Sequence, residues 1–235
     1  MTFAPLLSVE KLTVAFGRET AVEGVSFAVR KGETLALVGE SGSGKTLIGR
    51  SLLRIPPKGA RIVSGRALFD DGRGAIDLLA AGEPDMRAVR GARVAMVFQE
   101  PMSAFSALHT VGDQVLEALA LHRDLPRDAA IEQCLETFED VGFPDPLQAF
   151  DAYPWQLSGG LRQRAMIAMA AVCRPSLIIA DEPTTALDVT TQATVLELLR
   201  RLQAESGMSV LLITHDLGVV ANVADSVAVL RRGRL

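Results

Sequence analysis

The chain has 235 residues, 49% of them apolar and 22% charged, with a formal net charge of −4. That is ordinary globular composition, and the length suits one large α/β domain or a domain carrying an insertion. With no block of like charges, it argues against a dedicated nucleic-acid-binding protein, and no apolar run reaches the roughly 18 residues of a membrane span.

In chain order, Ser8–Phe16 and Gly24–Arg30 read as strands of a hairpin or meander about the polar turn Gly17-Arg18-Glu19-Thr20. Thr34–Val38 is a short apolar run leading into glycines, the pattern of a buried parallel strand, and a helix is expected over Lys45–Leu53, stopped by Pro56-Pro57. Ala60–Phe69 and Val94–Phe98 have strand patterning, and the Gly- and Asp-rich stretch 70–91 between them is expected to be surface loop. Val111–His122, Arg127–Val141 and Ser158–Cys173 have helical spacing, the last with Ser158 as N-cap.

Leu177–Ala180 and Val210–Thr214 read as buried strands flanking a helix over Thr190–Ala204. A last strand is expected at Ser226–Leu230, with a turn at Arg231-Arg232-Gly233. Strand–helix alternation at both ends, with helices between, predicts a parallel-sheet core carrying a helical insertion. The N-terminus lacks a basic-then-apolar leader, and Cys134 and Cys173 have no metal-ligand spacing and read as buried apolar thiols in a reducing cytoplasm. An ending one turn after a strand leads us to expect a natural protein that continues beyond Leu235.

Gly39-Glu40-Ser41-Gly42-Ser43-Gly44-Lys45-Thr46 matches G-x-x-x-x-G-K-[ST] in full, after a strand and at the start of a helix. Glycines there let backbone N–H groups turn toward phosphate oxygens, and the helix N-terminus adds positive potential. Lys45 is expected to reach the β- and γ-phosphates, and the Thr46 hydroxyl to ligate Mg²⁺. Leu177–Ala180 runs into Asp181-Glu182. A parallel strand delivers its last residues to the phosphate edge of the sheet, so Asp181 is expected to hold Mg²⁺ through water and Glu182 to polarise an attacking water.

Together with Leu157-Ser158-Gly159-Gly160-Leu161-Arg162-Gln163-Arg164 and His215, these segments resemble the ATP-binding-cassette ATPases over nearly the whole chain. The resemblance implies an α/β P-loop NTPase fold with a RecA-like parallel-sheet core, an N-terminal antiparallel β subdomain and an inserted helical subdomain. It divides the chain into 1–98 with 175–235 as nucleotide-binding core and 99–174 as helical insertion.

It further implies ATP and Mg²⁺ as ligands and a second cassette subunit packed head to tail. The Ser158-Gly159-Gly160 turn of one subunit then contacts the γ-phosphate bound by the other. Gln99 is expected at the Mg²⁺ and water site, His215 on the γ-phosphate, Asp188 in a loop crossing the dimer interface, and Phe16 stacked on adenine.

Glu182–Thr190, Phe98–Met102 and Tyr153–Ser158 look like the branch that imports dipeptides, oligopeptides, glutathione or nickel. That implies separate membrane permeases, an extracytoplasmic binding protein and a place on the cytoplasmic face of the inner membrane. Leu161 departs from the commonest pattern, which has Gln there, and points to a subfamily. The branch often has His where Trp155 stands and Asn-Pro where Ser106-Ala107 stands. The alternative is a soluble cassette ATPase clamping DNA or ribosomes. Against it, the chain has no long heptad coiled coil and only one cassette.

Overall fold

The N-terminal strands Leu7–Phe16 (β1) and Glu19–Val29 (β2) pair antiparallel, and β1 pairs on its other edge with Ala60–Phe69 (β4). With the short Ile76–Asp77 (β5) they form one sheet, ordered β2-β1-β4-β5. The hairpin turn is narrower than expected: Glu19 and Thr20 already pair with Phe16 and Ala15, leaving Gly17 and Arg18 at the bend. The computed structural model describes residues 4–185 and 187–235, with backbone alone at 102, 103 and 189.

A second sheet, wholly parallel, has the order β6-β7-β8-β3-β9, from Thr34–Val38 (β3), Val94–Val97 (β6), Leu177–Asp181 (β7), Ser209–Thr214 (β8) and Ser226–Val229 (β9). Its side chains alternate between two cores, as a sheet covered on both faces requires. Leu177, Ile179, Leu211 and Ile213 join the core under the antiparallel sheet and Lys45–Leu52 (α1). Ile178, Ala180, Val210 and Leu212 join the core formed with the helices. Gly49 lets α1 approach closely, since a Cβ there would lie 2.9 Å from Ile213 Cδ1 and 3.1 Å from Ile179 Cγ2.

Between β6 and β7 the described residues form helices: Pro101–Ala104 (α3), Val111–Ala120 (α4), Arg127–Asp140 (α5), Pro146–Asp151 (α6) and Gly159–Ala171 (α7), with a 3-10 turn at Pro154–Gln156. Phe138 anchors their core, meeting Phe143 and Phe150 edge-on at 5.4 and 6.4 Å between centroids. Cys134 and Cys173 are buried there as free thiols, and burial pushes both thiol pKa values up, that of Cys134 to about 11. Val189–Ser206 (α8) and Leu217–Val223 (α9) complete the fold.

Two differences from the sequence reading stand out. The stretch expected to be loop holds β5 and the helix Glu83–Val89 (α2), which turns only Met86 and Val89 inward and so shows almost no periodicity. Helix α9 is also too short for a periodic signal. Asp216 starts it, accepting from the N–H groups of Gly218 at 2.8 Å and Val219 at 3.3 Å.

The two sheets are tied at Asp71. Its buried carboxylate takes Arg93 Nη2 at 2.6 Å and Nε at 3.2 Å, Arg73 Nη2 at 2.5 Å and the Ser176 hydroxyl at 3.0 Å. Burial alone would raise the Asp71 pKa, but the hydrogen bonds from Arg93, Arg73 and Ser176 outweigh it and hold the group far below the usual carboxylate range. Arg93 also lies over the Phe69 ring, 5.1 Å from its centroid.

Candidate nucleotide site

The phosphate loop leaves the C-terminal end of β3 and enters α1. Gly44 precedes that helix with φ of 107°, where a side chain is strained, and a Cβ there would lie 2.9 Å from Val22 Cγ2. Gly39 backs onto the Leu230 carbonyl, which a Cβ would overlap. Lys45 is buried, its ammonium donating to the carbonyls of Gly39 at 2.8 Å and Glu40 at 3.0 Å. Burial lowers its pKa, opposed by the charges of Glu182 and Asp181.

Strand order brings the remaining groups to this edge, because β3, β8, β7 and β6 lie side by side with parallel direction. Asp181 ends β7 fully buried; its Oδ1 accepts from the Thr46 hydroxyl at 2.9 Å, while Oδ2 is buried without a partner among the described residues. Burial raises the Asp181 pKa, against the pull of Thr46 and of the Arg50 and Lys45 charges. A hydroxyl and a carboxylate with a spare buried oxygen form a hard-oxygen donor set that suits Mg²⁺, which takes few protein ligands beside phosphate and water. Among the described residues no group of three His, Cys, Asp or Glu could hold a metal by itself.

Glu182 is the meeting point of three strand ends. Gln99, following β6, donates to Oε2 at 3.3 Å, and His215, following β8, lies 3.1 Å from Oε1 through Nδ1. The Thr185 hydroxyl donates to Oε2 at 2.9 Å. Glu182 has φ of 47°, unusual for a non-glycine residue, and its N–H is held by the Ile213 carbonyl at 2.8 Å. Backbone strain of about 1–3 kcal/mol persists where surroundings over-determine the geometry, as at functional sites.

A cleft of about 430 Å³ gathers most of these groups: Ser41, Gly42, Gly44, Lys45, Thr46, Gln99, Glu182 and His215, with Phe16 at its wall. Phe16 is 39% exposed at the end of β1, so its ring face is open rather than consumed in the core. Arg50 also lines the cleft, 6.0 Å from the Phe98 ring centroid and with its Nε buried without a partner among the described residues. Neither Arg50 nor Thr185 was expected from sequence. Arg50 sits one helical turn beyond the loop motif, a signal only in retrospect.

Ser158, Gly159 and Gly160 do not line this cleft. They open α7, where the Ser158 hydroxyl accepts from Leu161 N at 3.3 Å. Leu161 is half-buried against the helical core, a contact a Gln would not make as well. Asp188 caps α8, accepting from Thr191 N at 3.0 Å and from the Thr191 hydroxyl at 2.6 Å. Ala186, which shares the expected interface loop, lies outside the described residues, as does the side chain of Met102. His122 is half-buried against Gly91 and His109 is exposed, neither near the cleft.

Comparison with known proteins agrees with this fold. The family model described as ABC transporter matches residues 22–185. Over 235 aligned residues, 98% of this chain and 69% of the relative, the sequence is 49% identical to the dipeptide transport ATP-binding protein DppD of Bacillus subtilis. It is 47% identical over 234 residues to the glutathione import ATP-binding protein GsiA of Salmonella typhimurium, covering 97% of this chain and 38% of that protein. The dimeric post-hydrolysis structure of the ATP-binding cassette MJ0796 bound to ADP and Pi superposes with a TM-score of 0.83 at 26% identity, covering 97% of this chain and 96% of that one. Cassette fold, phosphate loop and family match therefore converge: the chain belongs to the ABC transporter family, as an ATPase cassette.

Proposed function

We propose that this cassette powers an importer of peptides or related small solutes, working on separate membrane permeases from the cytoplasmic face of the membrane. The observation that carries the catalytic part is the convergence of Gln99, Thr185 and His215 on the Glu182 carboxylate, at the wall of the cleft that holds the phosphate loop. The transport part is supported by its relatives, which are named for dipeptide transport and glutathione import. Neither is named for DNA or ribosomes, which favours the importer over a soluble clamp.

In this reading the N–H groups of Gly39–Thr46 and the Lys45 ammonium bind the triphosphate, and Phe16 stacks on the adenine. Thr46, Asp181 and Gln99 would hold Mg²⁺, which when bound neutralises phosphate charge. Glu182 orients water for in-line attack, with Gln99, Thr185 and His215 fixing its carboxylate, and His215 also contacts the γ-phosphate. Catalysis is then mainly preorganised electrostatics.

Ser158, Gly159 and Gly160 contact the γ-phosphate held by a second cassette subunit. Their absence from this chain's own cleft and the dimeric state of the structural neighbour support that arrangement. We read 1–98 with 175–235 as the nucleotide-binding core and 99–174 as the helical part that meets the permeases, while an extracytoplasmic binding protein delivers the solute.

The test is Glu182→Gln, which keeps the size of the side chain but removes its charge and turns one accepting oxygen into a donating amide. ATP binding is expected to stay within about threefold while turnover falls by about 10²-fold or more. An unchanged turnover rate refutes Glu182 as the water-orienting group.

A further inference from the structure

One small side chain joins two of the motifs that sequence reading kept apart. The Thr191 hydroxyl donates to Asp188 Oδ2 at 2.6 Å, and its backbone N–H to Asp188 Oδ1 at 3.0 Å. The Thr191 methyl points the other way, at the Ser158–Gly160 turn: a Cβ built on Gly160 would lie 2.9 Å from Thr191 Cγ2. Gly160 therefore packs its bare Cα directly on that methyl. A β-branched side chain has few χ1 choices in a helix, and Thr splits between two rotamers according to where its hydroxyl bonds. The Asp188 carboxylate makes that choice here, so the hydrogen bond fixes the place of the methyl.

The geometry points to Thr191 as a positioning residue for ATP-driven closure of the dimer: bonded to Asp188, it holds the Ser158–Gly160 turn at the height from which its backbone meets the nucleotide on the second subunit. This rests on the proposed role of that turn. Thr191 itself touches neither nucleotide nor reacting atoms. It sits at the start of α8, where Gln192 Nε2 also ties the preceding loop by donating to the carbonyls of Thr184 at 3.2 Å and Leu187 at 3.3 Å. Thr185, next to Thr184, holds Glu182 through its hydroxyl. The turn offered to the second subunit is thus braced by the same segment that holds this subunit's own carboxylate.

Two substitutions separate hydroxyl from methyl. Thr191→Val keeps the branched shape and loses the hydroxyl bond to Asp188 while the backbone N–H bond stays; Thr191→Ser keeps both bonds and loses the methyl. Each is made in the full chain carrying Glu182→Gln, and three quantities are read: the ATP-dependent dimer dissociation constant by sedimentation, the affinity of the single protomer for fluorescent ATP, and the melting temperature. Thr191→Val is expected to weaken the dimer about tenfold, with nucleotide affinity within twofold and melting unchanged, and Thr191→Ser, which offers Gly160 no methyl, to weaken it at least as much.

A native dimer constant for either variant overturns the assignment, as does a parallel fall in melting temperature and nucleotide affinity. Ser158→Arg serves as control. If it blocks dimer formation while Thr191→Val does not, only the role of Thr191 fails. If Ser158→Arg dimerises normally, the reading of the turn fails, and the role of Thr191 with it.

Discussion

His215 Nδ1 lies 3.1 Å from Glu182 Oε1, although 33 positions separate the residues in the chain. The contact exists because β7 and β8 are adjacent and parallel, so their C-terminal ends finish side by side. A carboxylate oxygen in this contact accepts, with the imidazole donating from Nδ1, and His215 also lines the cleft. The carboxylate cannot turn away without losing this bond and those from Gln99 and Thr185.

Replacing His215 by Ala is expected to lower kcat about 10²-fold, the loss typical of one preorganised donor. KM for ATP should shift by no more than about threefold, because the loop and Lys45 remain. Steady-state ATPase rates with varied ATP check both numbers, and a change confined to KM would place His215 in binding instead.

Lys45→Ala removes a buried ammonium that now spans the carbonyls of Gly39 and Glu40. Charged hydrogen bonds contribute about 1.5–3 kcal/mol, so ATP affinity is expected to fall roughly 10- to 100-fold in a fluorescent-nucleotide titration. Phosphate contacts, not the adenine, should carry this loss, and inorganic triphosphate should lose affinity in parallel.

Phe16→Ala gives the complementary result. Its ring is open at the cleft wall, and a stacked aromatic contributes about 0.5–1.5 kcal/mol. ATP affinity is expected to drop about 3- to 10-fold while affinity for inorganic triphosphate holds. Equal losses for both ligands would remove Phe16 from adenine recognition.

Asp71→Asn tests the tie between the sheets. Breaking a buried ion pair by removing one partner costs about 3–5 kcal/mol, and here Arg93 and Arg73 would both lose their carboxylate. The folded-state pKa of Asp71 is depressed, so its contribution is complete above the unfolded value of about 3.9 and is lost as pH falls toward the folded value. Urea unfolding should show a constant gap between native and variant above about pH 5 that narrows below about pH 4. A gap that persists unchanged at pH 3 would contradict the assignment.

Site residues carried by contiguous chain were easiest to read. Gly39–Thr46 carries its strand, turn and helix start in eight positions, and Asp181-Glu182 follows an unbroken apolar strand. Gln99 and His215 were legible only through family resemblance, because a lone Gln or His after a strand has no pattern until sheet order brings it to Glu182. Arg50, Thr185 and Thr191 escaped for the same reason: each acts through a contact with a distant or folded-back partner. Helices α2 and α9 were missed because seven residues with two inward side chains give no measurable period.

Nucleotide-driven pairing of two cassettes is the central claim, and sedimentation of Glu182→Gln with and without Mg²⁺ and ATP measures it most directly. One protomer without nucleotide, two with it, and a lone but ATP-loaded protomer for the Ser158→Arg double variant are expected. Pairing that ignores ATP, or that survives Ser158→Arg intact, would contradict a site completed by the Ser158–Gly160 turn of a second subunit.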